Sequence, residues 1–280
     1  MICPKCQADN QSDGIFCRRC GTLLPAAEDT APVTKTYFPA SVPVFSVGST
    51  FADRYQIIEE LGRGGMGVVY KVLDKVINER IVLKILKRDI SEDEKMIERF
   101  RNELKLARKI SHKNVCRVFD IAQDKGLYYI TMEYVQGEDL KTTLDRVGPL
   151  SIAKALKILK QVCRGLAEAH RLGVIHRDLK PQNMIIGREG EVRILDFGIA
   201  RSVATRGITE TGMTIGTPEY MSPEQAMGED LDPRSDIYSL GVVMFEMLTD
   251  TLPFRGETAV AIALKQKEYP PPNPRNLNPH

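Results

Sequence analysis

The spacing of hydrophobic positions changes twice along the chain. Before residue 50 no period is sustained. From 55 to 90, short β-rich runs (YQIIEEL, GVVYKVLD, RIVLKIL) alternate with Gly or polar turns, which predicts strands. Residues 92–110 take helical spacing, with Ile97, Phe100, Leu104 and Ala107 on one stripe and Ser91 placed as N-cap. Two more strand-like runs follow, VCRVFDI and LYYITMEYV. After 150 the helical period dominates. Ala155, Leu159, Val162, Leu166 and Ala169 form a long buried stripe, and a second helix is predicted near 235–248. A small β-rich part followed by a larger helical part predicts an α+β arrangement of two lobes with a cleft between them.

Composition adds exclusions. The 280 residues carry 39 basic and 37 acidic side chains, so net charge gives no reason to expect nucleic acid or an anionic membrane as partner. Ser239, Gly241 and Glu246 interrupt the longest apolar stretch, 237–248, so no membrane span is expected. The N-terminus lacks the apolar core of a secretory signal.

The six cysteines are unevenly placed. Cys116 and Cys163 stand alone in apolar surroundings and are expected to be buried and inert. Cys3, Cys6, Cys17 and Cys20 form two Cys-x-x-Cys pairs ten residues apart. Four thiolates at this spacing can close a tetrahedral Zn2+ site, and residues 1–24 offer too little core to fold without one. Reactive or disulfide-linked cysteines are the alternative. The segment resembles the short zinc ribbons found at protein termini, which bind protein or nucleic acid or serve structure. Lys5, Arg18 and Arg19 are too few to choose among these. Residues 25–50, rich in Pro, Ala, Ser and Thr, are expected to be a flexible linker.

Gly62-Arg63-Gly64-Gly65-Met66-Gly67 lies between two predicted strands. Glycines let a backbone approach phosphates closely. A lone G-x-G-x-x-G also fits a dinucleotide-binding unit, but there the loop opens a helix. Here it runs into Val68-Val69-Tyr70-Lys71-Val72, and a third strand carries Lys84. Strand alternation puts Val82 and Lys84 on one face, an apolar roof followed by a cation, which suits a purine base and its phosphates.

Further along come His176-Arg177-Asp178-Leu179-Lys180-Pro181-Gln182-Asn183, Asp196-Phe197-Gly198, and Gly216-Thr217-Pro218-Glu219-Tyr220. With the Gly-rich loop and Lys84, these resemble the motif set of the eukaryotic-type protein kinase family, in its bacterial Ser/Thr branch. The resemblance runs from about residue 55 to the C-terminus. It implies a two-lobed kinase domain over 51–280, with an N-lobe to about 135 and an incomplete C-lobe from 136.

It also implies ATP and Mg2+ (or Mn2+) as cofactors and Ser/Thr-bearing proteins as partners. Gly62, Gly64, Gly67, Val69, Val82 and Ile185 would surround ATP, with Met132 as gatekeeper. Glu133 and Val135 would meet adenine through their backbone, and Asp139 the ribose. Glu103 would pair with Lys84 and fix it against the phosphates. Asp178 would act as catalytic base, Lys180 would neutralise the γ-phosphate, and Asn183 and Asp196 would hold Mg2+. His176 would pack structurally, Asp236 would anchor the catalytic loop, and Thr217 would dock the acceptor. Thr209 and Thr211 would be autophosphorylation sites whose phosphate pairs with Arg177. A kinase dimer and a cytoplasmic setting are further expectations, with membrane anchoring possible through a missing C-terminal segment.

Two departures stand out. Val82 replaces the family's usual alanine above adenine. The chain also ends before the helices that, in the family, supply an arginine to the glutamate matching Glu224, which predicts a buried Glu224 without a partner and bared apolar surface. Beside the kinase reading stand two alternatives: a kinase-fold module that binds nucleotide or partners with little turnover, and a protein whose function the zinc ribbon dominates.

Overall fold

A computed structural model describes residues 2, 6–9, 19–20, 44–64, 67–87, 94–197 and 217–279. The chain divides into two units, Met1–Phe38 and Pro39–His280. In the first, Ile2 and Asp9 form an antiparallel bridge around the first Cys-x-x-Cys pair. Cys3 and Cys17 lie outside the described residues, as do Ser91, Thr209 and Thr211.

The second unit opens with a six-stranded antiparallel sheet in the order β1-β2-β3-β4-β6-β5. The strands are β1 (Thr50–Phe51), β2 (Tyr55–Gly64), β3 (Gly67–Asp74), β4 (Glu79–Leu86), β5 (Val118–Asp124) and β6 (Leu127–Glu133). Helix α1 (Glu94–Ala107) lies between β4 and β5 in the chain. Its Leu104 and Ala107 are buried as the helical stripe predicts; the side chains of Ile97 and Phe100 lie outside the described part. β4 is buried on both faces because its two sides pack into different clusters. Ile81, Leu83 and Ile85 join Tyr70 and Tyr129, while Val82 and Leu86 join Leu104 and Met132. Lys84 sits in this second row, which turns it toward the cleft.

Residues 44–50, read from composition as linker, pack on this sheet. The Phe45 ring meets Phe51 and Tyr70 edge-on, and the Phe45 N–H donates to the Tyr70 hydroxyl. One aromatic with two aromatic neighbours outweighs a polar local composition.

The helical lobe contains α2 (Leu140–Val147), α3 (Ile152–Arg171), α4 (Pro223–Met227), α5 (Pro233–Thr249) and α6 (Ala259–Glu268), with a small sheet β7 (Glu138–Asp139), β8 (Met184–Ile186) and β9 (Val192–Ile194). Its core centres on α3 and α5, where Leu159, Val162 and Leu166 meet Leu240, Val243 and Met247. Gly165 belongs to this inner face: a Cβ there would meet the Ile194 side chain at 2.8 Å.

The expectation for the isolated cysteines divides. Cys116 is buried, but Cys163 is exposed. One residue beyond buried Val162 is 100° round the helix, which turns Cys163 outward despite its apolar neighbours in sequence. Exposed apolar side chains line α5 and α6, among them Ile237, Met244 and Leu264. Among the described residues, no helix is long and apolar enough to cross a membrane.

Candidate active site

Between the sheet and the helical lobe lies a cleft of about 650 Å3. Most of the residues expected around a nucleotide line it: Gly62, Val69, Val82, Lys84, Met132, Glu133, Val135, Asp139 and Ile185. Asn183 and Asp196 close its floor. The glycines differ in role. A Cβ at Gly62 or Gly64 would meet nothing within 4 Å among the described residues. A Cβ at Gly67 would stand 1.9 Å from the Ile85 carbonyl oxygen. Gly67 is thus demanded by the close approach of β3 and β4, and neither it nor Gly64 lines the cleft.

Leu61, Cys116, Tyr134, Gly137, Thr142 and Leu195 also line the cleft and were not picked out from sequence. Leu61 and Leu195 directly precede the Gly-rich loop and Asp196, and that adjacency is the signal available for them. Cys116 has none, since it comes from the irregular stretch before β5. Its thiol is pushed up by burial and donates to the Glu133 carbonyl.

The catalytic-loop motif is held from below. The buried Asp236 on α5 accepts the N–H of His176 at 2.8 Å and of Arg177 at 2.9 Å. His170 Nε2 lies 2.7 Å from the same carboxylate. Burial alone would raise the Asp236 pKa, but these partners outweigh it and hold the group below the ordinary 3.8. His176 is fully buried. Its Nδ1 accepts the Asp178 N–H, and Nε2 lies 2.7 Å from the Leu195 carbonyl, so the ring spans the loop and the strand before Asp196. It packs structurally, as expected, against the Phe197 ring.

Above this anchor the polar groups converge. Lys180 Nζ lies 3.0 Å from Asp178 Oδ2 and donates to Thr217 Oγ1 at 3.2 Å. Asn183 Nδ2 donates to the Asp178 carbonyl and carboxylate at 2.7 and 3.1 Å. Asn183 itself lines the cleft. The Thr217–Tyr220 segment is braced from α6, where Gln266 Nε2 donates to the carbonyls of Pro218 and Glu219. It is braced again from α5, where Glu246 accepts the Tyr220 hydroxyl at 2.6 Å.

One expected pairing differs. Lys84 Nζ pairs with Asp196 Oδ2 at 2.7 Å, and Glu103 pairs instead with Arg177 Nη1 at 2.7 Å. Lys84 holds the Asp196 carboxyl below the ordinary range, against burial that would raise it. Among the described residues, the exchange leaves Glu103 Oε2 and Arg177 Nε buried without hydrogen-bond partners. Glu224 also differs from expectation. It is half-buried, and Ser235 Oγ donates to it, so a hydroxyl answers the carboxylate.

Asp196 and the Asn183 oxygen are hard donors of the kind Mg2+ takes. One or two protein oxygens suffice when phosphates and water complete the octahedron. The residues present therefore fit such an ion. Among the described residues there is no group of three or more His, Cys, Asp or Glu side chains that could hold a metal by themselves.

Residues 55–275 match the protein kinase domain family. The chain is 40% identical over 233 residues to the serine/threonine-protein kinase PrkC of Bacillus subtilis, covering 83% of this chain and 36% of that protein. It is 42% identical over 240 residues to the serine/threonine-protein kinase PknA of Mycobacterium tuberculosis, covering 84% and 56%. The chain thus spans between about a third and just over half of the length of these relatives. Among solved structures, the kinase domain of Mycobacterium tuberculosis PknI superimposes with a TM-score of 0.66 at 27% identity, covering 85% of this chain and 86% of that one.

Proposed function

We propose, from the premise that this chain belongs to the protein kinase domain family, that it transfers the γ-phosphoryl group of ATP to Ser or Thr hydroxyls of proteins. The convergence of Asp178, Lys180 and Thr217 beside the cleft carries the reading. Phosphoryl transfer asks mainly for position and charge stabilisation. Asp178 accepts the acceptor hydroxyl's proton, and Lys180 stabilises charge on the transferred group. Lys84 orients the α- and β-phosphates. Asn183 and Asp196 would hold Mg2+, which would supply charge neutralisation to the phosphates.

Phosphotransfer from ATP with Mg2+ tests this, with Asp178→Asn as control. The variant is expected to lose about 10²- to 10⁴-fold in turnover. Equal transfer by the two proteins overturns the reading.

The Glu103–Arg177 pair supports a second element. In it, Lys84 lacks the carboxylate that would hold it against phosphates, an arrangement suited to binding nucleotide with little turnover. A phosphate on Thr209 or Thr211 would compete with Glu103 for Arg177 and release Glu103 to Lys84. Mass spectrometry after incubation with ATP is expected to find these threonines modified, and finding neither modified overturns it.

We read residues 1–24 as a zinc ribbon that docks protein or serves structure. The Ile2–Asp9 bridge, which brackets Cys3 and Cys6, supports that reading. One zinc per chain by metal analysis is the expected result. A cytoplasmic setting and self-association of kinase domains complete the proposal, on family resemblance.

A further inference from the structure

Glu246 on α5 is a buried carboxylate, 4% exposed. Tyr220 donates to one of its oxygens at 2.6 Å, and Lys141 Nζ donates to the other at 3.0 Å. Tyr220 ends the segment whose Thr217 meets Lys180 beside Asp178. Lys141 is the second residue of α2; Asp139, two residues before it, and Thr142, one after, line the cleft. The Lys141 side chain is 34% exposed and is also 2.9 Å from Asp145, one turn along. On the reading that Thr217–Tyr220 holds the acceptor with its hydroxyl at Asp178, the Tyr220–Glu246 bond puts this ammonium on the side where residues flanking the acceptor hydroxyl would lie.

A buried carboxylate stripped of its cation is strongly unfavourable, and it takes up another cation wherever one can reach it. An arginine or lysine of the acceptor is such a cation. Here the chain supplies its own. We infer that Lys141 is a specificity-determining residue. Its ammonium fills the Glu246 seat that would otherwise select a basic acceptor residue, so the favoured acceptors are neutral or acidic at the position facing it. This rests on the phosphotransfer reading above.

The test uses the full chain with ATP and Mg2+. The peptides carry one Thr, with Arg, Gln or Glu moved through each flanking position, and kcat/KM is compared between Arg and Gln. The wild type is expected not to favour Arg over Gln at the position facing Lys141. Lys141→Met is expected to raise the Arg-to-Gln ratio about five- to tenfold at one position. Adding Glu246→Gln to that variant should abolish the rise, and Lys141→Arg should keep the wild-type profile.

Wild-type selection of Arg at the position where Lys141→Met shows its effect overturns the inference. So does an unchanged ratio in Lys141→Met that still turns over the Gln peptides. Where Met abolishes turnover, Lys141→Gln takes its place and is read by the same two outcomes. Failure of the wild type to phosphorylate any peptide overturns the kinase reading as well, which separates the two failures.

Discussion

The two sides of the cleft are built to different standards of satisfaction. On the helical side, Asp236 is 1% exposed and accepts two backbone N–H groups with His170 beside it, so the catalytic loop rests on a buried and fully answered charge. Where the sheet side meets the loop, Glu103 of α1 and Arg177 of the loop are each about 30% exposed, and among the described residues each leaves one buried polar atom unanswered. A buried network whose partners are all present resists rearrangement. A half-exposed pair with orphaned atoms has alternatives of similar free energy, because water screens what it gains and exchange costs little. The scaffold of the loop is therefore fixed, while the pairing above it is exchangeable.

The largest effect is expected at the fixed side. Asp236→Ala removes the acceptor for two backbone N–H groups and should cost about 3–5 kcal/mol of stability by urea denaturation. A loss below about 1 kcal/mol would break the comparison, because the loop would then be anchored elsewhere. On the exchangeable side, Glu103→Gln should cost less than about 1 kcal/mol of stability, yet lower phosphotransfer at least tenfold if Glu103 must reach Lys84. Stability and activity falling in proportion would count against exchange.

A pH series sharpens the contrast. The Asp236 pKa is lowered in the fold, so its stabilisation is present above the ordinary value of 3.8 and is lost as pH falls through the folded value. The stability gap between wild type and Asp236→Asn is expected to be constant above about pH 5 and to close below about pH 4. A gap that persists unchanged in acid would remove the carboxylate from the explanation. The smallest effect is at the cysteines: Cys163 should react with a thiol reagent in the folded protein, and Cys116 only on unfolding. Mass spectrometry of the native, labelled protein reads both.

Much of the fold could be read from spacing. The run GVVYKVLD became β3 in full, and the stripe from Ala155 to Ala169 became the buried face of α3. Composition over a window misled at Phe45, whose neighbours lie 6 and 25 residues away. Apolar neighbours in sequence misled at Cys163, where the helix turns the side chain outward. In the cleft, contiguous motifs named the polar groups, whereas Cys116 and Leu195 enter through packing.

The amino-acid sequence alone determined which chemical groups this protein owns and the order of strands and helices that carries them, because periodicity and motif spacing are local properties of the chain. It did not determine who pairs with whom. Lys84, expected to pair with Glu103, 19 residues away, meets Asp196, 112 residues away, and Arg177, expected to meet a phosphate, meets Glu103. Coulombic and hydrogen-bond energies depend on separations of a few ångströms and on the water left between the groups. Only the packing of α1 and the sheet against the catalytic loop sets those distances, and it is the tertiary structure that gave Arg177 to Glu103, Asp196 to Lys84 and Glu246 to Lys141.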